Sequence, residues 1–522
     1  MSFGLADAPA QRTVVVLAAG EGKRMRSALP KVLHPLLGRT MLGHVLAAAR
    51  DGLPPADSAA GSAGGSAGPA QVVVVVGHGA DQVRGHLAEI APDTHVVLQA
   101  QQRGTGHAVR VAVSEVDPAP GTVVVLNGDI PLLRPQTLRA LVEGHEQAGA
   151  AATVLTAEVP DATGLGRIIR SADGQFAGII EERDATEEQR AIREINAGAY
   201  VFAAAALREM LGKLSSDNEQ GEEYLTDVVG LLAGAGLPVM ASRAADYTDT
   251  LGANDRGELA VLRALLRDRI NLGWMRAGVT IVDPATTWID VTVTLGRDAV
   301  IEPQTQLRGA TSIGERSLVG PDTTLADTMV GADASVVRTH GSEAVVGEGA
   351  TVGPFAYLRP GTRLGRKAKV GTFVETKNAD IGDGAKVPHL SYVGDASVGE
   401  GTNIGAATVF VNYDGVHKHR TTIGAHARTG ADNMFVAPVT VGDGVYTAAG
   451  SVITDDVPPG AMAVARGRQR NIDGWVERRR AGTAAATAAA RASGAATAPA
   501  AAASASATDG PDSEESHRGE GR

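Results

Sequence analysis

Residues 17 to 31 combine glycines with basic side chains in a pattern suited to binding phosphate. The apolar run Thr13 to Val16 precedes them, so the stretch reads as a buried strand that ends in a glycine-rich turn. Gly20 and Gly22 would allow the backbone to approach a ligand closely. Three cations follow: Lys23, Arg24 and Lys31. Together these residues predict a polyphosphate site after the first strand.

Two known glycine-rich motifs, the P-loop and the dinucleotide-binding fingerprint, do not match residues 17 to 31. The P-loop needs a second glycine upstream of its lysine, which Gly22 and Lys23 lack, and Met25 stands where the dinucleotide-binding fingerprint has its third glycine. On the glycines alone, an ordinary turn with surface cations remains open. The full string, L-x-x-G-x-G-x-R-M followed by L-P-K, resembles the signature of the sugar-phosphate nucleotidylyltransferases. This resemblance favours a loop that binds a nucleoside triphosphate.

Two further motifs in the first half carry polar groups that suit the same ligand. Asn127-Gly128-Asp129 follows the apolar run Val123 to Leu126, and a carboxylate at the end of a strand can hold Mg²⁺ against phosphate oxygens. A capping role for Asp129 is equally open. Gly104-Thr105-Gly106, after Gln99, offers backbone and hydroxyl donors to a base or a phosphate.

A histidine in the second half could act as a base. His389 lies near Arg359, Lys377 and Tyr392 in the sequence, and a histidine can accept a proton from an amine as that amine attacks a carbonyl. The two cations could bind a sugar phosphate, with the Tyr392 hydroxyl as a further donor. A surface histidine that happens to lie among charges explains the same residues, and spacing alone does not decide between the two interpretations.

The elements that would position the first motifs alternate in type. Five short apolar runs predict strands: 14–17, 72–76, 96–98, 123–126 and 152–155. Residues 40–49 and 135–148 predict helices, and the alternation indicates a doubly wound α/β domain that binds ligands at the carboxyl ends of its strands. The segment Pro54 to Pro69, rich in glycine, serine and alanine, predicts a flexible surface insertion.

Beyond residue 252 the pattern changes to a helix and then a repeat. Leucines on one helical face, beginning at Leu259, predict a helix over 254–277. Aliphatic residues then recur six apart in three runs: Val346, Val352, Leu358, Leu364 and Val370; Ile381, Val387 and Val393; and Val398 and Ile404. Period six indicates a parallel β-helix whose aliphatic side chains point inward. Residues 406–420 break the period and predict a projecting loop.

Composition excludes several classes of protein. The 522 residues predict two or three domains, and the absence of cysteine excludes disulfides and thiolate chemistry. The net charge of −11 argues against nucleic-acid binding. We find no secretory segment and no apolar run long enough to span a bilayer, so we expect a cytoplasmic protein without a membrane partner.

Both halves together resemble one bacterial family. The nucleotide loop, the β-helix and the strings LRPGT, VETKN, HLSYVGD, NIGA and VNYDG are similar to the bifunctional N-acetylglucosamine-1-phosphate uridyltransferase / glucosamine-1-phosphate N-acetyltransferases over residues 12–475. The resemblance implies a Rossmann-like α/β nucleotidyltransferase domain, a left-handed parallel β-helix of hexapeptide repeats, a homotrimer and Mg²⁺. It also implies two reactions. Acetyl-CoA acetylates glucosamine 1-phosphate, and UTP then converts the product to UDP-GlcNAc and pyrophosphate for peptidoglycan synthesis, cell-wall biogenesis and cell shape.

The resemblance also implies domain boundaries. The uridyltransferase domain would cover residues 1–252, the linker helix 253–277, and the acetyltransferase β-helix 278–460. Residues 461–522 would form a C-terminal segment. Its alanine-, threonine-, serine- and glycine-rich composition predicts disorder from about residue 481.

Site residues of the uridyltransferase half follow position by position from the resemblance. Those expected to surround UTP are Leu17, Ala18, Ala19, Gly20, Lys31, Gln99, Gly104, Thr105, Asn127, Gly128 and Asp129. Those expected to hold the sugar are Gly166, Glu181 and Asn196. Asp129 and Asn254 match the Mg²⁺ ligands, and Arg24 would offset charge as pyrophosphate leaves.

In the acetyltransferase half, His389 matches the base that deprotonates the sugar amine. The expected sugar-phosphate site is Arg359, Lys377, Tyr392 and Asn403. The positions that align with those lining acetyl-CoA are Ala406, Asn412, Tyr413, Ala431, Ala449 and Arg466. Acetyl-CoA would bind where subunits of the trimer meet.

Three positions depart from the family pattern. Ala431 stands where the family usually has serine, Ala407 replaces a glycine or serine, and Leu165 replaces an aromatic residue beside Gly166. Two alternatives to the bifunctional enzyme also remain at this point. One is a sugar-nucleotide pyrophosphorylase whose β-helix is a non-catalytic assembly platform, and the other is a trimeric scaffold without enzymatic activity.

Overall fold

The computed structural model describes residues 11–53, 71–118, 120–216, 218 and 221–494. The predicted insertion Pro54 to Pro69 lies outside the described residues. The chain divides into two compact units, Met1–Ala465 and Arg466–Arg522, and the first unit contains both predicted halves.

The first half is an α/β domain. Its strands are β1 Gln11–Ala18, β2 Pro35–Leu36, β3 Arg39–Thr40, β4 Gln71–Val76, β5 His95–Leu98, β6 Gly121–Asn127, β7 Ala152–Glu158, β8 Arg167–Arg170, β9 Phe176–Ile180, β10 Glu194–Ala203 and β11 Val239–Arg243. Its helices are α1 Met41–Gly52, α2 Ala80–Ile90, α3 Thr105–Val116, α4 Pro135–Ala148, α5 Glu187–Arg190, α6 Ala204–Leu211 and α7 Leu225–Gly234. All five predicted strands and both predicted helices are confirmed.

The central sheet has the strand order β11-β7-β10-β6-β1-β4-β5, with β8 and β9 beside β10. Strands β6, β1, β4 and β5 run parallel, whereas β10 is antiparallel to β6 and β7. Valines along β1 and β4 are buried on both faces because helices cover both sides of the sheet. The parallel register places Leu17 beside Asn127, so the two predicted ligand motifs emerge together from the carboxyl ends of β1 and β6.

Helix α8, Arg256–Arg276, connects the two halves. Asp255 caps its first turn by accepting a hydrogen bond from the Glu258 amide at 2.9 Å. Leu259, Leu262 and Leu266 are buried on the face that the sequence predicted, because this stripe packs against Met25, Leu36 and Leu132 of the α/β domain. The helix therefore begins at the nucleotide loop and ends at the first coils of the β-helix.

The second half is a left-handed parallel β-helix. Its strands are β12 Thr280–Ile281, β13 Trp288–Ile289, β14 Thr294–Leu295, β15 Val300–Ile301, β16 Gln306–Arg308, β17 Ser312–Ile313, β18 Leu318–Val319, β19 Thr324–Ala326, β20 Met329–Val330, β21 Ser335–Val336, β22 Thr339–Ser342, β23 Val345–Val346, β24 Thr351–Val352, β25 Ala356–Leu358, β26 Arg363–Leu364, β27 Lys369–Thr372, β28 Glu375–Ile381, β29 Lys386–His389, β30 Tyr392–Val398, β31 Val409–Val411, β32 Thr421–Ile423, β33 Met434–Val436, β34 Val439–Val441, β35 Tyr446–Thr447, β36 Val452–Ile453 and β37 Met462–Ala463.

Equivalent aliphatic side chains stack along the inside of the β-helix. One such row occupies the same register on successive coils and is fully buried: Ile301, Val319, Val336, Val352, Val370 and Val387. Every aliphatic residue of the predicted six-residue repeat is buried in this core. The repeat therefore predicted the interior correctly.

Two sequence predictions need correction in this region and beyond it. The loop predicted over 406–420 is shorter, because Val409–Val411 forms a strand whose Phe410 side chain is buried in the core. The second unit contains α9 Trp475–Arg479 and α10 Ala484–Ala492, although disorder was predicted from about residue 481. Alanine has the highest helix propensity, and Thr483 caps α10 by accepting a hydrogen bond from Ala486. Residues 495–522 lie outside the described residues.

Candidate functional site

The glycine-rich loop lines a cleft of about 540 Å³ at the carboxyl ends of β1 and β6. Gly22 has a φ of 64°, and a Cβ there would lie 2.6 Å from the Lys31 Cβ. Only glycine allows the loop to pass this close to Lys31. A short 3-10 turn, Lys23–Met25, follows, with Met25 buried and Arg24 facing the cleft.

Lys31 joins the two predicted metal ligands. Its Nζ lies 2.5 Å from the Asp129 Oδ2 and donates a hydrogen bond of 2.7 Å to the Asn254 Oδ1. A carboxylate oxygen and an amide oxygen thus converge on one point at the wall of the cleft. Hard oxygen donors of this kind suit a small divalent cation that takes its remaining ligands from phosphate and water. Within the described part of the chain, no group of three or more His, Cys, Asp or Glu side chains could bind a metal without such help.

Side-chain and backbone contacts hold the wall of the cleft that contains Gln99, Gly104 and Thr105. The Gln99 Nε2 donates to the Gly104 carbonyl at 3.1 Å and lies 3.0 Å from the His107 Nδ1. Gly104 has a φ of 104°, and a Cβ there would lie 2.5 Å from the Glu223 carbonyl oxygen. The Thr105 hydroxyl accepts a hydrogen bond from the Leu225 amide at 3.0 Å, so it anchors the start of α7.

The three predicted sugar residues lie together beside this cleft. A Cβ built on Gly166 would be 3.4 Å from the Glu181 carboxylate and 3.6 Å from the Asn196 Cβ. Burial raises the pKa of Glu181, although a hydrogen bond from Thr226 opposes the shift. The Asn196 side chain is fixed, because its Nδ2 donates to the Tyr200 hydroxyl at 2.6 Å and its Oδ1 accepts from the Gly198 amide at 3.2 Å.

Gly198 connects the sugar residues to the nucleotide cleft. A Cβ on Gly198 would lie 2.3 Å from the Asn127 Nδ2, so the two groups are in direct contact. The register of the β10–β7 pairing shifts between Asn196 and Tyr200, so Gly198 lies at an irregularity of the strand.

The cleft contains most of the predicted UTP residues and several that the sequence did not single out. Its predicted members are Leu17, Ala18, Ala19, Gly20, Arg24, Lys31, Gln99, Gly104, Thr105, Asn127, Asp129 and Asn254. Gly128 lies against it, since its amide donates to the Leu17 carbonyl at 2.9 Å. Gln102 was missed. Its Nε2 donates to the Ala19 carbonyl at 2.7 Å, and only its position two residues before Gly104 could have indicated this contact.

In the second half, His389 lies exposed at the end of β29, where the β-helix turns a corner. Backbone hydrogen bonds connect successive coils at this corner. The Ala407 amide donates to the His389 carbonyl, the Asp432 amide to the Ala406 carbonyl, and the Gly450 amide to the Ala431 carbonyl. We call this row the corner column: His389, Ala406, Ala407, Ala431, Asp432, Ala449 and Gly450. It places His389 on the coil next to the positions expected to line acetyl-CoA.

A cationic cluster lies on the adjacent face. Strands β25, β28 and β30 pair in parallel, which brings Arg359, Lys377 and Tyr392 onto neighbouring coils. The Arg359 guanidinium donates to Glu375 at 2.8 Å. The nearby ammonium of Lys418 lowers the pKa of Lys377. Lys418 was not among the predicted residues, because it lies in the loop 412–420 and reaches the cluster only through the fold.

A buried carboxylate organises this cluster. Burial raises the pKa of Asp395, but hydrogen bonds from Asn378 and Asn412 and the charges of Lys377 and Lys418 outweigh it, so the pKa is lowered. Asn412 donates to both the Asp395 carboxylate and the Tyr392 hydroxyl. Ionised Asp395 therefore fixes the side chains of Asn378 and Asn412 close to Lys377 and Lys418.

The remaining predicted residues are more dispersed. Asn403 lies on a different face of the β-helix. Its backbone pairs in parallel with that of Lys386 on one neighbouring coil and that of Arg428 on the other. Tyr413 is exposed in the loop 412–420, and its hydroxyl donates to the Gly415 carbonyl at 2.6 Å. Arg466 is the first residue of the second unit. No helix in the described part of the chain is long and apolar enough to cross a membrane.

Comparison with known proteins covers both halves. The sequence model of the MobA-like NTP transferase domain matches residues 14–230. The chain is 61% identical over 475 residues to a bifunctional protein GlmU of Streptomyces avermitilis, an alignment that covers 91% of this chain and 95% of the relative. The GlmU of Streptomyces coelicolor is 60% identical with the same coverage. The GlmU of Corynebacterium efficiens is 54% identical over 477 residues, covering 91% of this chain and 95% of the relative.

Proposed function

The chain belongs to the family of bifunctional GlmU proteins, and we propose from its geometry how each half performs its reaction. It is a bifunctional enzyme of UDP-GlcNAc biosynthesis that acetylates glucosamine 1-phosphate and transfers a uridylyl group from UTP to GlcNAc-1-phosphate. The observation that carries this conclusion is the high identity to GlmU over nine-tenths of the chain, across both halves. The platform and scaffold alternatives are therefore set aside.

We propose that UTP binds in the cleft between the glycine loop and Gly104. Gly20 and Gly22 keep the loop backbone close to the triphosphate, while Lys31 and Arg24 face it with positive charge. The sugar phosphate, held by Gly166, Glu181 and Asn196, attacks the α-phosphate, and pyrophosphate leaves. Positioning and charge stabilisation are sufficient for such a transfer, so no protein nucleophile is assigned.

A divalent metal fits the oxygen pair of Asp129 and Asn254, and we propose that it is Mg²⁺. Two protein oxygens leave room for phosphate oxygens and water, which is the arrangement that Mg²⁺ prefers. When bound, the metal would neutralise charge on the phosphates. Lys31, which contacts both ligands, would then be available to a phosphate oxygen.

For acetyl transfer, we propose that His389 accepts the proton of the glucosamine amine as the amine attacks the thioester carbonyl. The C–S bond then breaks, and coenzyme A leaves as the thiol with the proton that His389 returns. Arg359, Lys377 and Tyr392 would bind the sugar phosphate, and Lys418 adds a fourth polar group to this site. Asn403 would contribute from the neighbouring face. Acetyl-CoA would lie along the corner column past Ala406, Ala431 and Ala449, with Asn412, Tyr413 and Arg466 as further contacts.

The corner column also supports a homotrimer. Its preceding coils expose Phe355, Phe373 and Leu390, which are 52%, 58% and 60% exposed, and the two phenylalanine rings stack with centroids 5.4 Å apart. Exposed apolar side chains in a continuous row indicate a contact with another chain. Since this row leads directly to His389, the neighbouring subunit would help to close the acetyl-CoA site.

The two reactions form a sequence in which the β-helix supplies the substrate of the α/β domain. We propose that they take place in the cytoplasm, where UTP and acetyl-CoA are available, and that the product serves peptidoglycan synthesis. Product analysis with glucosamine 1-phosphate tests this directly. Acetyl-CoA alone should give only GlcNAc-1-phosphate, UTP alone should give no sugar nucleotide, and both together should give UDP-GlcNAc. Sugar nucleotide formed without acetyl-CoA would contradict the proposed order.

A further inference from the structure

A second cleft, of about 1050 Å³, lies between the α/β domain, helix α8 and the first coils of the β-helix. It shares no lining residue with the nucleotide cleft. One wall is formed by the β2–β3 hairpin and helix α1, and the facing wall by α8 and the coils that carry Trp288 and Arg308. The catalytic residues proposed above lie elsewhere, so this cleft has no assigned role.

The charges in this cleft favour an anion. Four arginines line it, Arg39, Arg50, Arg263 and Arg308, against one acidic residue, Asp290. Among the described residues, no carboxylate lies within ion-pair distance of any of the four. The Asp290 Oδ2 accepts the Gly309 amide at 2.9 Å, and the Asp290 carboxylate also interacts electrostatically with Arg308, so it offsets part of that charge. A chain with a net charge of −11 thus concentrates an excess of positive charge in one cavity.

Further contacts orient two of the four arginines. Arg263 donates to the Pro35 carbonyl at 3.3 Å, and Arg308 donates to the Gln306 side chain. These bonds use only some of the five donors that each guanidinium carries, so donors remain for a ligand. Guanidinium groups bind phosphate in a bidentate manner, and facing arginines suit a ligand with more than one anionic group.

The walls of the cleft are held at a fixed distance. The Val291 amide donates to the Leu37 carbonyl at 3.0 Å, which ties the hairpin to the β-helix. Gly38 has a φ of 90°, and a Cβ there would lie 2.8 Å from the Asp290 Cβ, so this contact requires glycine. Arginines of both domains therefore line one preformed cavity.

We propose that this cleft binds a small polyanion of the phosphate-ester or oligophosphate class, bridging the α/β domain and the β-helix. Two of its arginines lie on elements that continue from the nucleotide cleft. Arg39 follows Lys31 by eight residues through the hairpin, and Arg263 lies on the helix that begins just after Asn254.

Equilibrium dialysis of the full-length enzyme with labelled inorganic pyrophosphate in EDTA tests the proposal, with UDP-GlcNAc as a second probe. We expect the wild type to bind at least one probe at one more site per chain than the double variant Arg39→Gln/Arg308→Gln. The matched control Arg84→Gln/Arg297→Gln removes two exposed arginines outside the cleft and should bind at the same number of sites as the wild type. Unchanged uridylyl transfer would show that the double variant is folded. Equal numbers of sites in the wild type and the folded double variant, for both probes, would overturn the proposal.

Discussion

Ala431 departs from the pattern that the sequence resemblance implies. It lies in the corner column, one coil beyond Ala406, at a position where that resemblance implies a serine. A hydroxyl able to bond the acetyl thioester contributes about 0.5–1.5 kcal/mol. We expect Ala431→Ser to raise kcat/KM for acetyl transfer by about 2- to 10-fold. Uridylyl transfer in the same preparation is the internal control. An unchanged acetyl-transfer rate would show that no such bond forms.

Arg167 shows how a buried residue positions the sugar site. Its side chain is 2% exposed, and it donates to the carbonyls of Leu165 and Ile192 and pairs with Glu182 at 2.7 Å. These partners lie beside Gly166, Glu181 and Asn196, so one guanidinium holds the three chain segments that carry the predicted sugar residues. The sequence did not indicate Arg167, because its contacts exist only after those segments meet.

We expect Arg167→Met to raise the KM for GlcNAc-1-phosphate at least 10-fold and to leave the KM for UTP nearly unchanged. Losing one partner of a buried ion pair is costly, typically about 3–5 kcal/mol, so Arg167→Lys should partly rescue the variant. The control is Arg170→Met on the same strand, whose pair with Glu194 is partly exposed and worth less than about 1 kcal/mol. Equal effects on both substrates in a folded variant would contradict a positioning role.

At the scale of elements, the packing of α4 on β7 gives the protein a pH-dependent stability. His145 of α4 is buried against Thr153 of β7, with 2.9 Å between Nδ1 and Oγ1, and burial lowers its pKa to about 4. The unfolded chain binds this proton near pH 6.5, so the native state loses stability as the pH falls from about 6.5 toward 4. Through His145 alone, the free energy of unfolding would fall by about 2 kcal/mol between pH 7 and pH 5.

We therefore expect the thermal transition of the wild type to shift downward from pH 7 to pH 5, and His145→Gln to reduce that shift. The exposed His95 provides the control, since His95→Gln should leave the shift unchanged. An identical pH dependence in the wild type and His145→Gln would rule out this histidine as a source of acid instability. Differential scanning calorimetry at several pH values gives the measurement.

Two kinds of sequence pattern were sufficient to predict the strands of both halves. Valine-rich runs predicted β1, β4 and β6 because buried parallel strands need apolar side chains on both faces. The six-residue repeat predicted the β-helix interior for a similar reason. The end of the loop near Val409 was misplaced, since a strand that interrupts the period still buries Phe410. Helix α10 forms where low-complexity composition predicted disorder, because its alanines have high helix propensity and Thr483 caps its first turn.

At the scale of the whole molecule, the acetyltransferase site depends on more than one chain in our proposal. The exposed row of Phe355, Phe373 and Leu390 lies next to His389 along the corner of the β-helix. A charge at Phe373 would be buried in a subunit contact at considerable cost. We expect Phe373→Asp to dissociate the trimer in sedimentation velocity and to lower acetyl transfer at least 10-fold, while uridylyl transfer persists.

The matched control is Val261→Asp, which places the same charge at an exposed apolar position on helix α8. It should leave both the association state and both activities unchanged. A Phe373→Asp variant that is monomeric and fully active in acetyl transfer would contradict the shared site. The sequence could not locate this row without the fold, because its members lie on successive coils and are therefore about 17 or 18 residues apart in the chain.

In our proposal one chain carries two independent active sites, and single substitutions at each site distinguish them. Both activities are measured separately in folded His389→Ala and Asp129→Ala enzymes. We predict that His389→Ala loses acetyl transfer at least 100-fold and keeps uridylyl transfer, and that Asp129→Ala does the reverse. Mixing the two variants should restore UDP-GlcNAc synthesis from glucosamine 1-phosphate. Loss of both activities in either folded, trimeric variant would contradict the account.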